Sequence, residues 1–366
     1  MTTPRALVLS ALALSGCIRY APYEVTRTVG GESRRGAFVA PLQYEDFVRG
    51  ELAASQGDWQ AAANAYELAR AGGEDDVLLL ARLADARDHM GDRVHADEAL
   101  AQAERLDPRA EVVWQTRGAI AERHADLVAA IAAYERAHDA EPTSEEPVLA
   151  LARLLAADGH ADRAASLLGD FVAHASSPVG AARAALALAL PRGDVAALAD
   201  AATGLARIAP GHVDEIEAAV RALRARGDAV IAQRLLSRLP EEAIDRELAI
   251  EVAIAAGDRD AAERWLAFPR DERPASLTAD ARHWLALGDP TRAAELAEVA
   301  STDAGASSEA TLVLAEARLA SGAAVEAARL FASIPEGASA HEEARAGLAS
   351  ALAAAGLPAL GAELAR

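Results

Sequence analysis

Lysine is absent from this sequence, cysteine occurs once, and aromatic residues make up only 4% of the chain. Without lysine, the chain cannot supply the phosphate-binding lysine of a Walker-type loop, a kinase lysine or a Schiff base. A single cysteine excludes an internal disulfide and a CxxC metal or redox site. The chain also has no HExxH, no GxSxG and no glycine-rich phosphate loop. We therefore predict a protein that is not an enzyme and needs no cofactor.

Basic residues are outnumbered by acidic ones. The 366 residues include 36 basic and 56 acidic side chains, which gives a net charge of −20 at pH 7. Nucleic-acid binding depends on a surplus of basic contacts to phosphate, so we expect no nucleic-acid partner. Hydrophobic residues make up 52% of the chain and are mostly alanine and leucine. Such a composition favours helices over strands.

The N-terminus has the organisation of a secretory signal. Residues 1–16 contain one basic residue, Arg5, an apolar run from Ala6 to Leu14, and small residues before the cysteine. The run is too short to span a bilayer, which needs about 20 apolar residues. The tetrapeptide Leu14-Ser15-Gly16-Cys17 resembles the lipobox of bacterial lipoproteins. That resemblance implies removal of residues 1–16 and acylation (palmitate included) of Cys17, which anchors the chain to a membrane.

The lipobox also implies a location. In bacterial lipoproteins an aspartate after the cysteine favours the inner membrane, whereas this chain has Ile18. We therefore expect a lipid-anchored envelope protein at the outer membrane, facing the periplasm. A cytoplasmic regulator with a misassigned start is the alternative. Residues 17–42 are interpreted as the acylated cysteine and a flexible tether, whose basic part could lie on anionic headgroups or serve as a solvated spacer.

One unit recurs through the rest of the chain. A turn residue followed by a polar residue and then an alanine-rich pattern recurs at intervals of mostly 34 residues. These marker residues are Gly57, Gly91, Ala125, Gly159, Gly193, Gly227, Gly257, Gly288, Gly322 and Gly356. Each marker is expected to be the turn between two helices.

The third unit shows the pattern most fully. Its first helix is expected to place Trp114 and Gly118 on one face, and its second to place Ala130 and Tyr134 on the facing side. Glycine and alanine permit close approach of the two helices. The unit resembles the tetratricopeptide repeat (TPR) through Trp114, Gly118, Ala130, Tyr134, Ala137 and Pro142.

The TPR resemblance implies an all-α, right-handed solenoid of about ten helix-turn-helix units with a concave face. Units 1–6 are assigned to residues 43–240 and units 7–10 to residues 241–366. The repeat is irregular near 240–275, where three prolines cluster. This segment is therefore the expected hinge or boundary.

In this family the first helices line the concave groove. The stripe that faces this groove consists of the residues six positions before each marker and their neighbours on the same helix face. It includes Glu247 and Glu251, and arginines dominate it in the middle units. We predict that these arginines bind an acidic or C-terminal carboxylate segment of an envelope protein. The alternative is a solvated helix face with ordinary ion pairs. The candidate groove residues are Arg153, Arg183, Arg221, Arg224, Glu51 and Asp85.

Other candidate sites are weaker. His89 and His95 flank a turn, but six residues across a turn is not a known ligand spacing, so no metal site is predicted. The four tryptophans are expected in the core. The function indicated is a scaffold that assists assembly of an envelope or secretion complex. The alternative, a polysaccharide- or peptidoglycan-related accessory or activator, would favour exposed groove aromatics, which are few beyond Tyr44 and Phe47.

Overall fold

A computed structural model describes residues 24–29, 32–37, 41–71, 75–267, 273–302 and 307–364. The signal segment, Cys17 and Ile18 lie outside the described residues, so lipidation and location stay predictions. None of the helices in these ranges combines the length and apolarity that crossing a bilayer requires.

The segment interpreted as a flexible tether contains two strands. Strand β1 (Glu24–Val29) pairs antiparallel with β2 (Glu32–Ala37), with Glu24 opposite Ala37 and Val29 opposite Glu32. The sequence EVTRTV of β1 is rich in β-branched residues, which favour strands. The tether therefore contains regular structure that its turn-forming composition did not predict.

Beyond the hairpin, the described ranges form twenty α-helices, which confirms the all-α fold class. The first ten are α1 (Pro41–Ser55), α2 (Trp59–Ala71), α3 (Val77–His89), α4 (Arg93–Leu106), α5 (Glu111–Arg123), α6 (Leu127–Ala140), α7 (Glu145–Ala157), α8 (Ala161–His174), α9 (Val179–Ala189) and α10 (Val195–Ile208). The others are α11 (Val213–Ala225), α12 (Ala229–Leu236), α13 (Arg246–Ala255), α14 (Arg259–Ala267), α15 (Pro274–Ala286), α16 (Pro290–Thr302), α17 (Ser308–Ala320), α18 (Ala324–Ala332), α19 (His341–Ala354) and α20 (Pro358–Leu364). Single turns of 3-10 helix cover Leu190–Arg192 and Glu241–Ala243.

Every marker residue lies in the turn between the two helices of a pair. All nine marker glycines have positive φ, and Ala125 adopts the same left-handed conformation with φ 56°. Where an aspartate follows the marker, it caps the second helix: the Asp92 and Asp126 side chains accept hydrogen bonds from the backbone N–H groups of His95 and Ala129. The glycine-aspartate sequence thus ends one helix and begins the next.

Within a pair, small residues allow the two helices to approach closely. A Cβ atom added to Gly118 would lie 2.8 Å from the Tyr134 ring, as the sequence pattern predicted. Gly50 lies against Tyr66 in the same way. In the last units the partner changes, because Phe331 of α18 packs on Gly347 of the next helix, α19. Contact between a glycine and an aromatic ring therefore joins the helices of one pair in the first units and the helices of successive pairs in the last units.

The structure divides into two compact units, Met1–Pro147 and Val148–Arg366. The sequence favoured a boundary near residues 240–275 instead. Helices α12 and α14 are indeed short there, with 8 and 9 residues. One hydrophobic cluster reaches into this stretch with Leu239, Leu248 and Val252, and separate clusters begin at Ile250 and Ala253. The helices and the buried clusters both change there, and a hinge or boundary near 240–275 stays a prediction.

Candidate partner-binding surface

Charged residues on successive first helices pair with one another. In the first unit, Arg82 lies 3.3 Å from Glu51, and Arg123 lies 2.7 Å from Asp85. The predicted stripe is therefore a ladder of ion pairs that cross from one repeat to the next. In the second unit the ladder comprises Arg183–Glu215, Arg221–Asp245, Arg224–Glu251, Arg246–Asp280 and Arg282–Glu309.

The two acidic candidates of the first unit are held by neighbouring side chains. The Tyr66 hydroxyl donates a hydrogen bond of 2.6 Å to Glu51. Burial, with this hydrogen bond, raises the pKa of Tyr66 far above its ordinary value, so the phenol remains a donor. Asp85 accepts from the Arg123 guanidinium. Both carboxylates therefore have structural partners on the stripe.

Asp88 is the most buried carboxylate of the first unit's ladder, with 1% of its side chain exposed. It accepts from Arg123 Nε at 2.9 Å and lies 2.8 Å from His124 Nε2. Burial alone would raise the pKa of Asp88, but the hydrogen bonds from His124 and Arg123 hold it below its ordinary value. The group is therefore ionised and connects α3 to α5.

Two of the candidate arginines of the second unit, Arg183 and Arg221, have about half of their side chains exposed. Arg183 lies 2.6 Å from Glu215 with 52% of its side chain exposed, and Arg221 lies 3.0 Å from Glu217 with 49% exposed. Arg224 pairs with Glu251. Arg153 is exposed on α7. These are the ordinary ion pairs that the alternative interpretation expected, so binding of a partner carboxylate here stays a prediction.

The tryptophans are less buried than predicted. Trp284 is in the core with 8% exposed, but Trp59, Trp114 and Trp265 are only partly buried. Trp114 lines a cavity of about 490 Å³ between α4, α5 and α6. The Arg136 guanidinium carbon lies 4.5 Å from the centre of its ring. A cation already occupies a ring face there, so Trp114 does not offer the open platform that a sugar-binding site would favour.

One cluster was missed by the sequence analysis. Glu247 and Glu251 on α13 and His283 on α15 bring three ligand-type atoms within 4.8 Å of one another. The sequence contains a signal for this cluster, because Glu251 and Arg282 occupy the same repeat position and His283 directly follows Arg282. His89 and His95 are close in sequence, whereas here the repeat brings distant residues together.

Comparisons with known proteins give structural likeness only. No protein-family model matches the chain, and no curated protein is similar to it in sequence. A thermophilic TPR protein of Thermus thermophilus is 19% identical, covers 50% of this chain and 99% of its own, and gives a TM-score of 0.36. A TPR protein of Parabacteroides merdae is 13% identical over 86% of this chain and 100% of its own, with a TM-score of 0.28.

A third similar structure is PilW, described as a type IV pilus biogenesis factor. It is 16% identical, covers 53% of this chain and 92% of its own, and gives a TM-score of 0.33. The chain's own helices and period define the class more directly than these likenesses do. It is an all-α helical-repeat protein built from helix-turn-helix pairs similar to tetratricopeptide repeats.

Proposed function

We propose that this protein is a non-enzymatic scaffold that binds an acidic or C-terminal carboxylate segment of a protein partner. The binding surface is the arginine stripe of the second unit, formed by Arg153, Arg183, Arg221 and Arg224. The observation that carries the proposal is the exposure of Arg183 and Arg221, about half of each side chain, although both are already aligned by ion pairs.

The Arg183–Glu215 pair, with side chains 52% and 35% exposed, is easily exchanged. Such a pair contributes about 0–1 kcal/mol, because water solvates the separated charges almost as well. Arg221 differs, because its partner Glu217 has only 9% of its side chain exposed and that pair is structural. A partner carboxylate that binds an arginine through two parallel hydrogen bonds gains more than one that binds through a single contact. Replacing Glu215 at Arg183 with such a carboxylate is therefore inexpensive. The arginine side chains are already restricted by ion pairs with the chain's own carboxylates, so they lose less side-chain entropy on binding.

The partner must come close before it is attracted. The chain's charge of −20 repels an acidic segment at long range. Association thus relies on short-range contacts with the stripe, and added salt should accelerate it by screening the repulsion.

The proposal places the scaffold in a bacterial envelope, assisting assembly of an envelope or secretion complex at the outer membrane. This rests on the lipobox that ends at Cys17. Labelled palmitate should be incorporated at Cys17, and processing should be sensitive to globomycin. A Cys17→Ala protein that fractionates with membranes unchanged would overturn the anchoring.

Crosslinked affinity capture from detergent-solubilised envelopes tests the binding function. The test variant changes Arg153, Arg183 and Arg221 to glutamate. The matched control makes the same change to glutamate at Arg163, Arg207 and Arg234, which lie on second helices of the same unit. We expect one envelope protein to be captured by wild type and the control and lost from the folded test variant. Equal capture by all three would remove the stripe as the binding surface.

A further inference from the structure

A histidine and two glutamates converge on one face of the second unit. Glu247 and Glu251 are four residues apart on α13, so they lie on the same side of that helix. His283 reaches the same place from α15, and one ligand-type atom from each residue lies within 4.8 Å of the other two. The three side chains thus surround a small common space.

These side chains do not satisfy one another. Among the described residues, no hydrogen bond or ion pair joins His283 to either glutamate. The Nδ1 atom of His283 is buried and has no hydrogen-bond partner, so the imidazole has an unsatisfied ring nitrogen. Imidazole is a common protein ligand for transition metals.

The surrounding charge favours a cation modestly. Glu251 also pairs with Arg224, and Asp280 accepts two hydrogen bonds from Arg246 at 2.9 and 3.1 Å. Three carboxylates thus face two guanidinium groups around the imidazole. The exposed Glu247 has no guanidinium partner among the described ion pairs and supplies the excess negative charge.

We propose that Glu247, Glu251 and His283 bind a divalent transition-metal ion of the zinc class. Zinc takes carboxylate oxygens and imidazole nitrogen at about 2.0–2.2 Å, so its ligand atoms lie about 3–4 Å apart. Small side-chain rotations bring the three atoms from their present separation to that geometry. The imidazole favours zinc, cobalt or nickel over magnesium and calcium, which prefer oxygen ligands alone. This inference does not depend on the proposed scaffold function.

Titration calorimetry on the untagged, chelator-treated protein tests the site with Zn²⁺ and, separately, Mg²⁺. We expect one zinc site in wild type, and no site of comparable affinity for magnesium. His283→Gln should weaken zinc binding by at least about 10–100-fold. Loss of a residue that only hydrogen-bonds to a metal ligand has that effect in known sites, and loss of a ligand itself should have at least as large an effect. Glu247→Gln changes an exposed residue, so it keeps the test valid if His283→Gln does not fold.

Two further variants separate a metal site from adventitious binding. His341 also has a buried Nδ1 atom without a partner but belongs to no such cluster among the described residues, so His341→Gln should bind zinc like wild type. Arg224→Gln frees Glu251 from its guanidinium and should tighten zinc binding. Zinc affinity unchanged by both His283→Gln and Glu247→Gln, or reduced equally by His341→Gln, would overturn the proposal.

Discussion

Arg123 in the first unit and Arg183 in the second both bridge successive first helices, yet their carboxylate partners differ in exposure. Asp88, which accepts from Arg123, has 1% of its side chain exposed, whereas Glu215, the partner of Arg183, has 35% exposed. A buried carboxylate that loses its donors bears a large desolvation cost, but an exposed one is solvated by water. The ladder is therefore structural at Asp88 and exchangeable at Arg183.

This difference separates two roles that look alike in the sequence. Both positions are charged residues on a first helix, spaced by the repeat. Only burial distinguishes the pair that stabilises the fold from the pair that a partner can replace.

Asp88→Asn should give the largest loss of stability. The substitution removes the charge that Arg123 and His124 contact, and hydrogen bonds to charged groups contribute about 1.5–3 kcal/mol. The free energy of unfolding in urea should fall by that amount. Asp97→Asn is the control, because Asp97 is exposed on the neighbouring helix α4 and should change stability by less than about 0.5 kcal/mol. Equal effects of the two substitutions would show that burial does not separate these carboxylates.

Gly118→Ala should destabilise the first unit through packing. The new Cβ would lie 2.8 Å from the Tyr134 ring, and overpacking of this kind costs about 1–3 kcal/mol. Gly169 of α8 offers the comparison in the second unit, since no heavy atom lies within 4 Å of its added Cβ. Gly169→Ala should instead stabilise by about 0.5–1 kcal/mol, because alanine favours helix. Thermal unfolding of both variants checks the opposite signs.

Ala125→Gly should stabilise the first unit. Ala125 adopts φ 56°, a left-handed conformation that costs an L-residue with a side chain about 1–2 kcal/mol. Glycine removes that strain but has more unfolded-state entropy to lose, so the net gain should be about 0.5–1 kcal/mol. The reverse change at the equivalent turn of the second unit, Gly159→Ala, should destabilise by a similar amount. A loss of stability in Ala125→Gly would mean that the alanine makes an unrecognised favourable contact.

Acid should destabilise the protein in two pH windows. Burial is the main cause that lowers the pKa of His89 and of His283 below the ordinary 6.5, so the unfolded chain binds protons first. Their contribution is present above pH 6.5 and is lost as the pH falls below it. Asp88 adds a second window, because its stabilisation is lost below its ordinary pKa of 3.8. Urea titrations across pH should show Asp88→Asn reducing the loss in the lower window, to which Asp92, Glu215 and Asp258 also contribute.

Much of the fold could be predicted from sequence because each turn has a local cause. A glycine that must adopt positive φ, followed by a capping aspartate, marks a helix-helix turn in any context. Even Ala125 was placed correctly by its spacing. The strand pair β1–β2 was not predicted, because turn-forming glycines lie next to its β-branched residues in the sequence.

The candidate site was less predictable because it depends on side-chain partners. The stripe positions of Glu251 and Arg224 follow from the repeat, but their mutual ion pair depends on rotamers and on helix separation. His283 lies near Glu251 only because α13 and α15 are neighbouring first helices. Partial exposure of Trp114 likewise reflects the alanines of α6 around it, which leave a cavity.

Double-mutant cycles on two ion pairs measure whether the stripe of the second unit is exchangeable. The cycles compare Arg183–Glu215 with Arg123–Asp88, using unfolding free energies of the single and double alanine variants. We expect a coupling energy below about 1 kcal/mol for the exposed pair and above about 1.5 kcal/mol for the buried one. An Arg183–Glu215 coupling as large as that of Arg123–Asp88 would show that the stripe is a structural element instead of an exchangeable binding surface.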